Sequence, residues 1–206
     1  IDYSSAKLSL ELMNHDIETI FVADEICKSA DQYDFSYFYP ENSHPAWGVQ
    51  NPVAELICKR LNRYADFITR DEKKSSFSVR KEPSLYKDRY RWPVSNKVSR
   101  QYQDQPVLFD SILINNEYFS SNSKSPVLLI GNSYITSPDH NALPAKISQI
   151  LQHRPDTLIT YGYRLSSVLF QKLVANEEQY LKGKVCCMLI LGVDMIENYN
   201  ILDIQD

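Results

Sequence analysis

The second half of the chain alternates between short apolar runs and longer segments with apolar residues at helical spacing. Apolar runs typical of strands occupy residues 127–130, 157–161 and 184–191. Between them, residues 141–152 and 166–181 carry apolar side chains every three or four positions, which predicts helices. A wholly apolar strand is typical of a parallel sheet buried on both faces. We therefore predict an α/β fold in which helices cover a parallel sheet.

The first half of the chain gives weaker signals. The predicted elements are a short helix over 5–14, a strand over 17–23, a short helix over 25–30, a short strand or packed loop over 33–39, a loop over 40–48, a helix over 49–67, and one or two strands over 107–119. In the helix over 49–67, Asn51 is predicted as the N-cap and Pro52 as the first helical residue, where a missing N–H costs nothing.

Length and composition predict a single domain. The chain has 206 residues, of which 43% are hydrophobic, enough for a sizeable core. Its net charge of −4 does not indicate a nucleic-acid partner. No apolar run approaches the roughly 18 residues that a membrane-spanning helix needs. The first residue is Ile1 rather than Met, which is compatible with a preceding segment that carries an export signal.

The four cysteines do not indicate a metal site. They are Cys27, Cys58, Cys186 and Cys187, and they contain no Cys-x-x-Cys pair of the kind that zinc sites use. We interpret them as buried free thiols, with one disulfide as the alternative. No metal and no cofactor is predicted.

Residues 70–100 differ from the rest of the chain in charge. They contain ten Lys or Arg and four acidic residues, so the segment carries +6 and the remainder −10. Aromatic residues, among them Tyr86, Tyr90 and Trp92, are interleaved with the charges. We interpret residues 70–105 as a basic, aromatic-containing insertion in the single domain. It is either a solvated surface or a surface for an anionic polymer, a membrane face or a carbohydrate that stacks on the rings.

Ser133 follows the apolar run 127–130 in the sequence Gly131-Asn132-Ser133. Catalytic groups of open α/β sheets gather at the carboxyl ends of the strands, and Gly131 would permit a tight turn there. A nucleophilic serine needs a base, and the base needs an orienting acceptor.

Among the four histidines, His44 is the best candidate base. It lies in a proline-bounded loop, with Glu41 and Asn42 as nearby acceptors. His140 is close to Ser133 in sequence but is interpreted as structural, and His15 and His153 are predicted to be surface residues.

The motifs around these residues resemble those of the SGNH (GDSL-type) hydrolases. Gly131-Asn132-Ser133-Tyr134 resembles their Gly-Asp-Ser block, and Glu41-Asn42-Ser43-His44-Pro45 resembles their Asp-x-x-His-Pro block. Residues 160–164 stand where the Gly-x-Asn oxyanion block would be. The histidine block precedes the serine block, as in the SGNH-like domains of alginate and related polysaccharide O-acetyltransferases. The resemblance implies a three-layer α/β/α, SGNH/flavodoxin-like fold with a circularly permuted order.

Three positions depart from the family pattern. Asn132 replaces the Asp of Gly-Asp-Ser, and Arg164 replaces the oxyanion Asn. The acid that orients His44 is Glu41 under one motif spacing, whereas the other spacing places Asn42 there. An Asn can hold a histidine tautomer but cannot stabilise the imidazolium by charge.

The resemblance implies serine-dependent acyl transfer on an acetylated carbohydrate or another acyl ester. His44 would take the Ser133 proton, and the N–H groups of Ser133 and Gly162, together with Arg164, would bind the oxyanion. The product would be an acetylated sugar in an O-acetyltransferase or acetate in an acetylesterase. The alternative is a catalytically degenerate domain that binds a glycan or a protein. The family also implies a periplasmic or other extracytoplasmic location.

Overall fold

The computed structural model describes residues 3–20, 22, 47–66, 68, 75–83, 108–136, 142–159, 171, 173 and 175–190. The helices are α1 (Tyr3–Asn14), α2 (Trp47–Leu61, followed by a 3-10 turn over Asn62–Tyr64), α3 (Ser133–Thr136), α4 (Ala142–Leu151) and α5 (Glu177–Leu181). The strands are β1 (Phe77–Pro83), β2 (Leu108–Ile114), β3 (Val127–Gly131), β4 (Asp156–Ile159) and β5 (Cys186–Leu189).

The second half of the chain forms the predicted parallel sheet. Its strand order is β4-β3-β5, with β3 in the centre, and both pairings are parallel. Gly131 lies opposite Ile159 on β4, and Ile130 lies opposite Leu189 on β5. The three strands therefore end at the same edge of the sheet, next to the turn that carries Ser133.

Helices cover both faces of this sheet. Val127 and Leu129 face a cluster built mainly from buried residues of α2 and α4. Leu128 and Ile130 point to the opposite face, where Leu158, Leu173 and Tyr180 pack. Because successive strand residues point to opposite faces, a strand covered on both sides must be apolar throughout, as β3 is. The fold is a three-layer α/β/α arrangement, as predicted, whereas its circularly permuted order stays a prediction.

A second, two-stranded antiparallel sheet is formed by β1 and β2. Ile112 and Ile114 of β2 are buried with Phe119 and with Ala145 of α4, and Phe77 of β1 packs against this cluster. The sequence did not predict β1, because most of its side chains are exposed and give no apolar period. Of the segment 70–105, the structure describes residues 75–83, so its interpretation as a basic insertion stays a prediction.

Two predictions in the first half need correction. Helix α2 begins at Trp47, so Asn51 and Pro52 lie inside it rather than at its start. Pro52 is the sixth residue of the helix, so it lacks the N–H that would bond the carbonyl four residues before it. Residues 17–20 and 22, predicted as part of a strand, have no regular structure, and Ile17 is 50% exposed. Instead, Glu18 pairs with Arg60 of α2 and with Arg63 of the 3-10 turn that follows it. The predicted elements over 25–30 and 33–39 lie outside the described residues.

Buried polar groups hold together the amino-terminal ends of the three parallel strands. Asp156 begins β4, and its Oδ2 accepts from Lys184 Nζ, before β5, at 2.7 Å. Ser125 Oγ, before β3, lies 2.7 Å from His153 Nε2. His153 is only 1% exposed, so its predicted surface position is wrong. Arg154 and Pro155 begin the connection to β4, whereas His153 itself has a buried partner.

Among the described cysteines, all three are free thiols. Cys58 is buried and Cys186 is half-buried, but Cys187 is exposed. Cys186 and Cys187 are adjacent on β5, so their side chains point to opposite faces of the sheet. This explains why the Cys186 thiol packs against the core and the Cys187 thiol does not. Burial therefore holds for Cys58 and not for Cys187, while Cys27 lies outside the described residues.

Candidate active site

Ser133 lies at the carboxyl end of the central strand. It is separated from β3 by Asn132 and is the first residue of α3. Ser133 is partly exposed, whereas every residue of β3 before it is buried. This position matches the prediction that Ser133 follows a buried parallel strand, at the edge where ligands of such sheets bind.

Asn132 caps the turn that begins at Ser133. Its Oδ1 accepts a hydrogen bond from the Tyr134 N–H at 3.0 Å, and its carbonyl accepts from the Ile135 N–H at 3.0 Å. A side-chain oxygen that binds the N–H two residues on is the ordinary N-cap arrangement. Asn and Asp cap helices about equally well, so the change from the family Asp to Asn132 leaves the turn intact. Asn132 is 5% exposed, so this capping side chain is buried.

Gly131 is required at the end of β3 by space and not by backbone conformation. Its φ lies outside the left-handed region that favours glycine. A Cβ at this position would clash with the buried side chain of Ile135 and lie 2.9 Å from the carbonyl oxygen of Ile190. Glycine therefore allows Ile135 and the Ile190 carbonyl to approach β3 closely, so the reason for glycine here is space and not the backbone freedom on which the prediction relied.

Helix α2 contacts the turn through Gln50. Its Nε2 donates to the Tyr134 carbonyl oxygen at 3.2 Å, although the two residues are 84 positions apart. Gln50 is 2% exposed, so this is a contact made inside the protein. Sequence analysis missed Gln50, because nothing in the local pattern links it to a turn so far along the chain.

The other candidate residues lie outside the described residues. They are His44, Glu41 and Asn42 before α2, and Gly162 and Arg164 after β4. Their neighbours in sequence are described at the same edge of the sheet. Helix α2 begins three residues after His44, and β4 ends three residues before Gly162, beside Gly131. Their roles stay predictions.

A second serine–histidine pair, Ser125 and His153, does not form an active site. Both residues are 1% exposed, so a substrate has no access to them. Ser125 Oγ also accepts from the Val127 N–H at 3.1 Å, which makes it part of the backbone pairing before β3. The pair lies at the amino-terminal ends of the strands, whereas Ser133 follows the carboxyl end of β3.

Other classes of site are not indicated in the part of the chain that the structure describes. Across these residues, no group of three or more His, Cys, Asp or Glu could hold a metal ion. None of the helices described is long and apolar enough to cross a membrane.

The three-layer fold, with a serine turn at the carboxyl end of its central parallel strand, is SGNH-like. The O-acetyltransferase domain of AlgJ from Pseudomonas putida has the same fold, with a TM-score of 0.68 at 12% sequence identity. That similarity covers 100% of this chain and 69% of the AlgJ chain. AlgX from Pseudomonas aeruginosa is similar with a TM-score of 0.52 at 13% identity, over 90% of this chain and 42% of AlgX.

The predicted resemblance is thereby confirmed at the level of the fold. No family model matches the chain, and no curated protein matches it in sequence. At 12% and 13% identity, the structural similarity carries the fold and not the activity.

Proposed function

We propose that the protein is a serine-dependent acyltransferase that moves an acetyl group to or from a carbohydrate, with Ser133 as the nucleophile. The observation that carries the proposal is the position of Ser133, in a capped turn at the carboxyl end of the central strand. The fold shared with the O-acetyltransferase domain of AlgJ supports acetyl transfer as the reaction class.

The proposed reaction has two steps that share one intermediate. In the first, His44 takes the proton from Ser133 Oγ, which bonds to the acetyl carbonyl carbon. The ester C–O bond then breaks, and the leaving oxygen receives the proton from His44, which leaves acetyl-Ser133. In the second, a sugar hydroxyl or a water gives its proton to His44 and attacks this acyl group. The bond between the acyl carbon and Ser133 Oγ then breaks, and Oγ takes the proton back from His44. A sugar acceptor makes the protein a transferase, and water makes it an esterase.

The contact between Gln50 and the Ser133 turn supports His44 as the base. Trp47 and Gln50 lie within about one turn of α2, since an α-helix rises 1.5 Å per residue. The three residues from His44 to Trp47 span at most about 10 Å of extended chain. Because Gln50 contacts Tyr134, the chain length permits His44 to reach Ser133.

The register of β4 supports an oxyanion site built from Ser133 and Gly162. Ile159 lies opposite Gly131, so the chain leaves β4 beside the serine turn. The N–H groups of Ser133 and Gly162, with the charge of Arg164, would bind the oxyanion. Loss of one such donor typically costs about 10² to 10³ in rate.

For the substrate we propose an acetylated or acetyl-accepting polysaccharide, met outside the cytoplasm. The resemblance to polysaccharide O-acetyltransferases supports both parts of this proposal. An anionic polymer could bind along the basic segment 70–100, where Arg80 and Lys81 are exposed on β1. Attraction between this segment and a polyanion should weaken with added salt.

Hydrolysis of p-nitrophenyl acetate by the wild type and Ser133→Ala tests the nucleophile. We expect the variant to lose activity to the uncatalysed level, and Ser123→Ala to keep it. Ser123 is a matched control, because it is an exposed serine before β3, at the opposite end of the sheet. Equal rates in Ser133→Ala and wild type would refute the assignment. Oligosaccharide binding without turnover in the wild type would instead favour the degenerate, glycan-binding alternative.

Two further variants separate the candidate partners of His44. If Glu41 orients the base, Glu41→Gln should reduce kcat by up to about 10⁴, the loss seen when a triad carboxylate becomes an amide. Asn42→Ala should then have a small effect. If Asn42 is the partner, Glu41→Gln should have a small effect and Asn42→Ala should reduce kcat. Asn42→Asp should then raise kcat by supplying the missing charge.

A further inference from the structure

Helix α3 is too short to hold its own conformation. It has four residues, Ser133–Thr136, and isolated helices of that length are unstable in water. No two residues of α3 are four positions apart, so none of its carbonyls can accept the usual helical hydrogen bond from an N–H within the helix. Other groups must therefore bind them.

Side chains provide two of these bonds. Thr136 Oγ1 donates to the Ser133 carbonyl at 3.1 Å, and Gln50 Nε2 donates to the Tyr134 carbonyl at 3.2 Å. The Thr136 bond stays within the turn. The Gln50 bond attaches the turn to α2, whose inner face is anchored in the core by Ala54, Ile57 and Leu61.

The amide of Gln50 is buried for this contact. A buried amide is costly unless it is hydrogen-bonded, and an apolar residue would fit the inner face of α2 at lower cost. The sequence on both sides of Gln50 is largely apolar where α2 faces inward, since Val49, Pro52 and Ala54 are buried. The Tyr134 carbonyl satisfies one donor of this buried amide.

We propose that Gln50 is a positioning residue for the nucleophile, an inference that rests on the proposed role of Ser133. Its hydrogen bond fixes the Ser133 turn relative to the amino-terminal turn of α2, the helix that the His44 segment enters. In this role Gln50 acts through the Ser133 turn and not through the substrate. It sets the distance and direction from which Ser133 Oγ meets its base and the acyl carbon.

The change Gln50→Met tests this inference, because it keeps an unbranched side chain of similar size and removes the donor. We expect kcat for p-nitrophenyl acetate to fall by about 10- to 100-fold, since small misplacements of reacting groups have effects of this order. The KM should change by less than about 3-fold, because substrate contacts are untouched. A residue that only stabilises the fold would lower the unfolding midpoint and leave kcat of the folded enzyme unchanged.

Gln149→Met is the matched control. Gln149 is a half-buried glutamine of α4, and its Oε1 accepts from Lys146 on the same helix at 3.2 Å. This variant makes the same chemical change and also removes a glutamine side-chain hydrogen bond, although here the glutamine is the acceptor. It does not loosen the Ser133 turn, so its kcat should equal that of the wild type.

A second variant covers the case in which Gln50→Met does not fold. Gln50→Asn keeps the amide but withdraws it by one carbon–carbon bond, about 1.5 Å, so we expect a smaller loss of kcat in a folded protein. Wild-type kcat in folded Gln50→Met or in Gln50→Asn overturns the positioning role while Ser133→Ala still abolishes activity. Full activity in Ser133→Ala overturns the proposed function and the role of Gln50 together.

Discussion

Replacing Lys184 with methionine should be among the most damaging single changes in the described part of the protein. Lys184 Nζ donates to Asp156 Oδ2 at 2.7 Å and to the carbonyl oxygens of Ser123 and Ser125, each at 2.9 Å. The lysine and aspartate side chains are 2% and 7% exposed. All three ammonium protons therefore have acceptors, and water cannot replace them without opening the sheet edge.

The expected loss follows from the charge that Lys184→Met leaves behind. Asp156 keeps its bonds from Ser121 Oγ at 2.6 Å and from the Thr157 N–H at 2.9 Å, but it loses its counter-ion. Breaking a buried ion pair on one side typically costs about 3–5 kcal/mol. Total stabilities of domains are about 5–15 kcal/mol, so a large share would disappear.

Urea unfolding measures this loss directly. With a slope of about 2 kcal/mol per M, the midpoint should fall by about 2 M, whereas Lys182→Met should stay within about 0.5 kcal/mol of the wild type. Lys182 is the matched control because it is exposed in the same connection before β5. The double variant Lys184→Met with Asp156→Asn should cost less than the sum of the single changes, since neither charge then remains.

Two results would refute this reasoning. One is a Lys184→Met protein within about 0.5 kcal/mol of the wild type, which is the range of neutral surface changes. The other is additivity of the Lys184 and Asp156 changes, which would mean that the two charges do not interact. Because the pair lies at the amino-terminal ends of β4 and β5, and Ser133 follows the carboxyl end of β3, kcat of the folded variant should be unchanged.

Two more outcomes follow from packing and from thiol burial. Gly131→Ala should destabilise the folded protein by about 1–3 kcal/mol, the usual cost of overpacking, because the new Cβ meets Ile135 and the Ile190 carbonyl. Adding Ile135→Val should recover part of this loss, measured by urea unfolding. No recovery would exclude the clash with Ile135 as the cause. Burial raises the pKa of the Cys58 thiol to about 12, and the thiolate is the form that reacts with alkylating reagents. At about pH 8, peptide mass spectra should therefore show exposed Cys187 modified long before Cys58. Comparable labelling of Cys58 in the folded protein would contradict its burial.

Much of the parallel sheet could be predicted because its signal is local. The runs that became β3, β4 and β5 are apolar where both faces of the sheet are covered, and their order with the helices implies parallel pairing. The same signal predicted Ser133 at a strand end, since a polar turn interrupts the apolar run there. The His44 and Gly162 blocks could be named from motif spacing, but spacing alone does not place them beside Ser133.

Elements whose burial depends on distant partners could not be predicted. Strand β1 is largely exposed, so its formation depends on pairing with β2, 25 residues or more along the chain, and not on an apolar period. His153 follows the end of a helix, as many surface residues do, but it is buried beside Ser125, 28 positions earlier in the chain.

The serine turn combines both kinds of information. Its composition, Gly131-Asn132-Ser133, determines that a strand can end there and that Asn132 can cap the next helix, because an N-cap bond spans only two residues. Only the tertiary structure decides that Gly131 is needed for closeness to Ile190 and that Gln50 binds the Tyr134 carbonyl. These contacts join residues 59 and 84 positions apart, and a contact of that span depends on how whole elements pack, which no local pattern encodes.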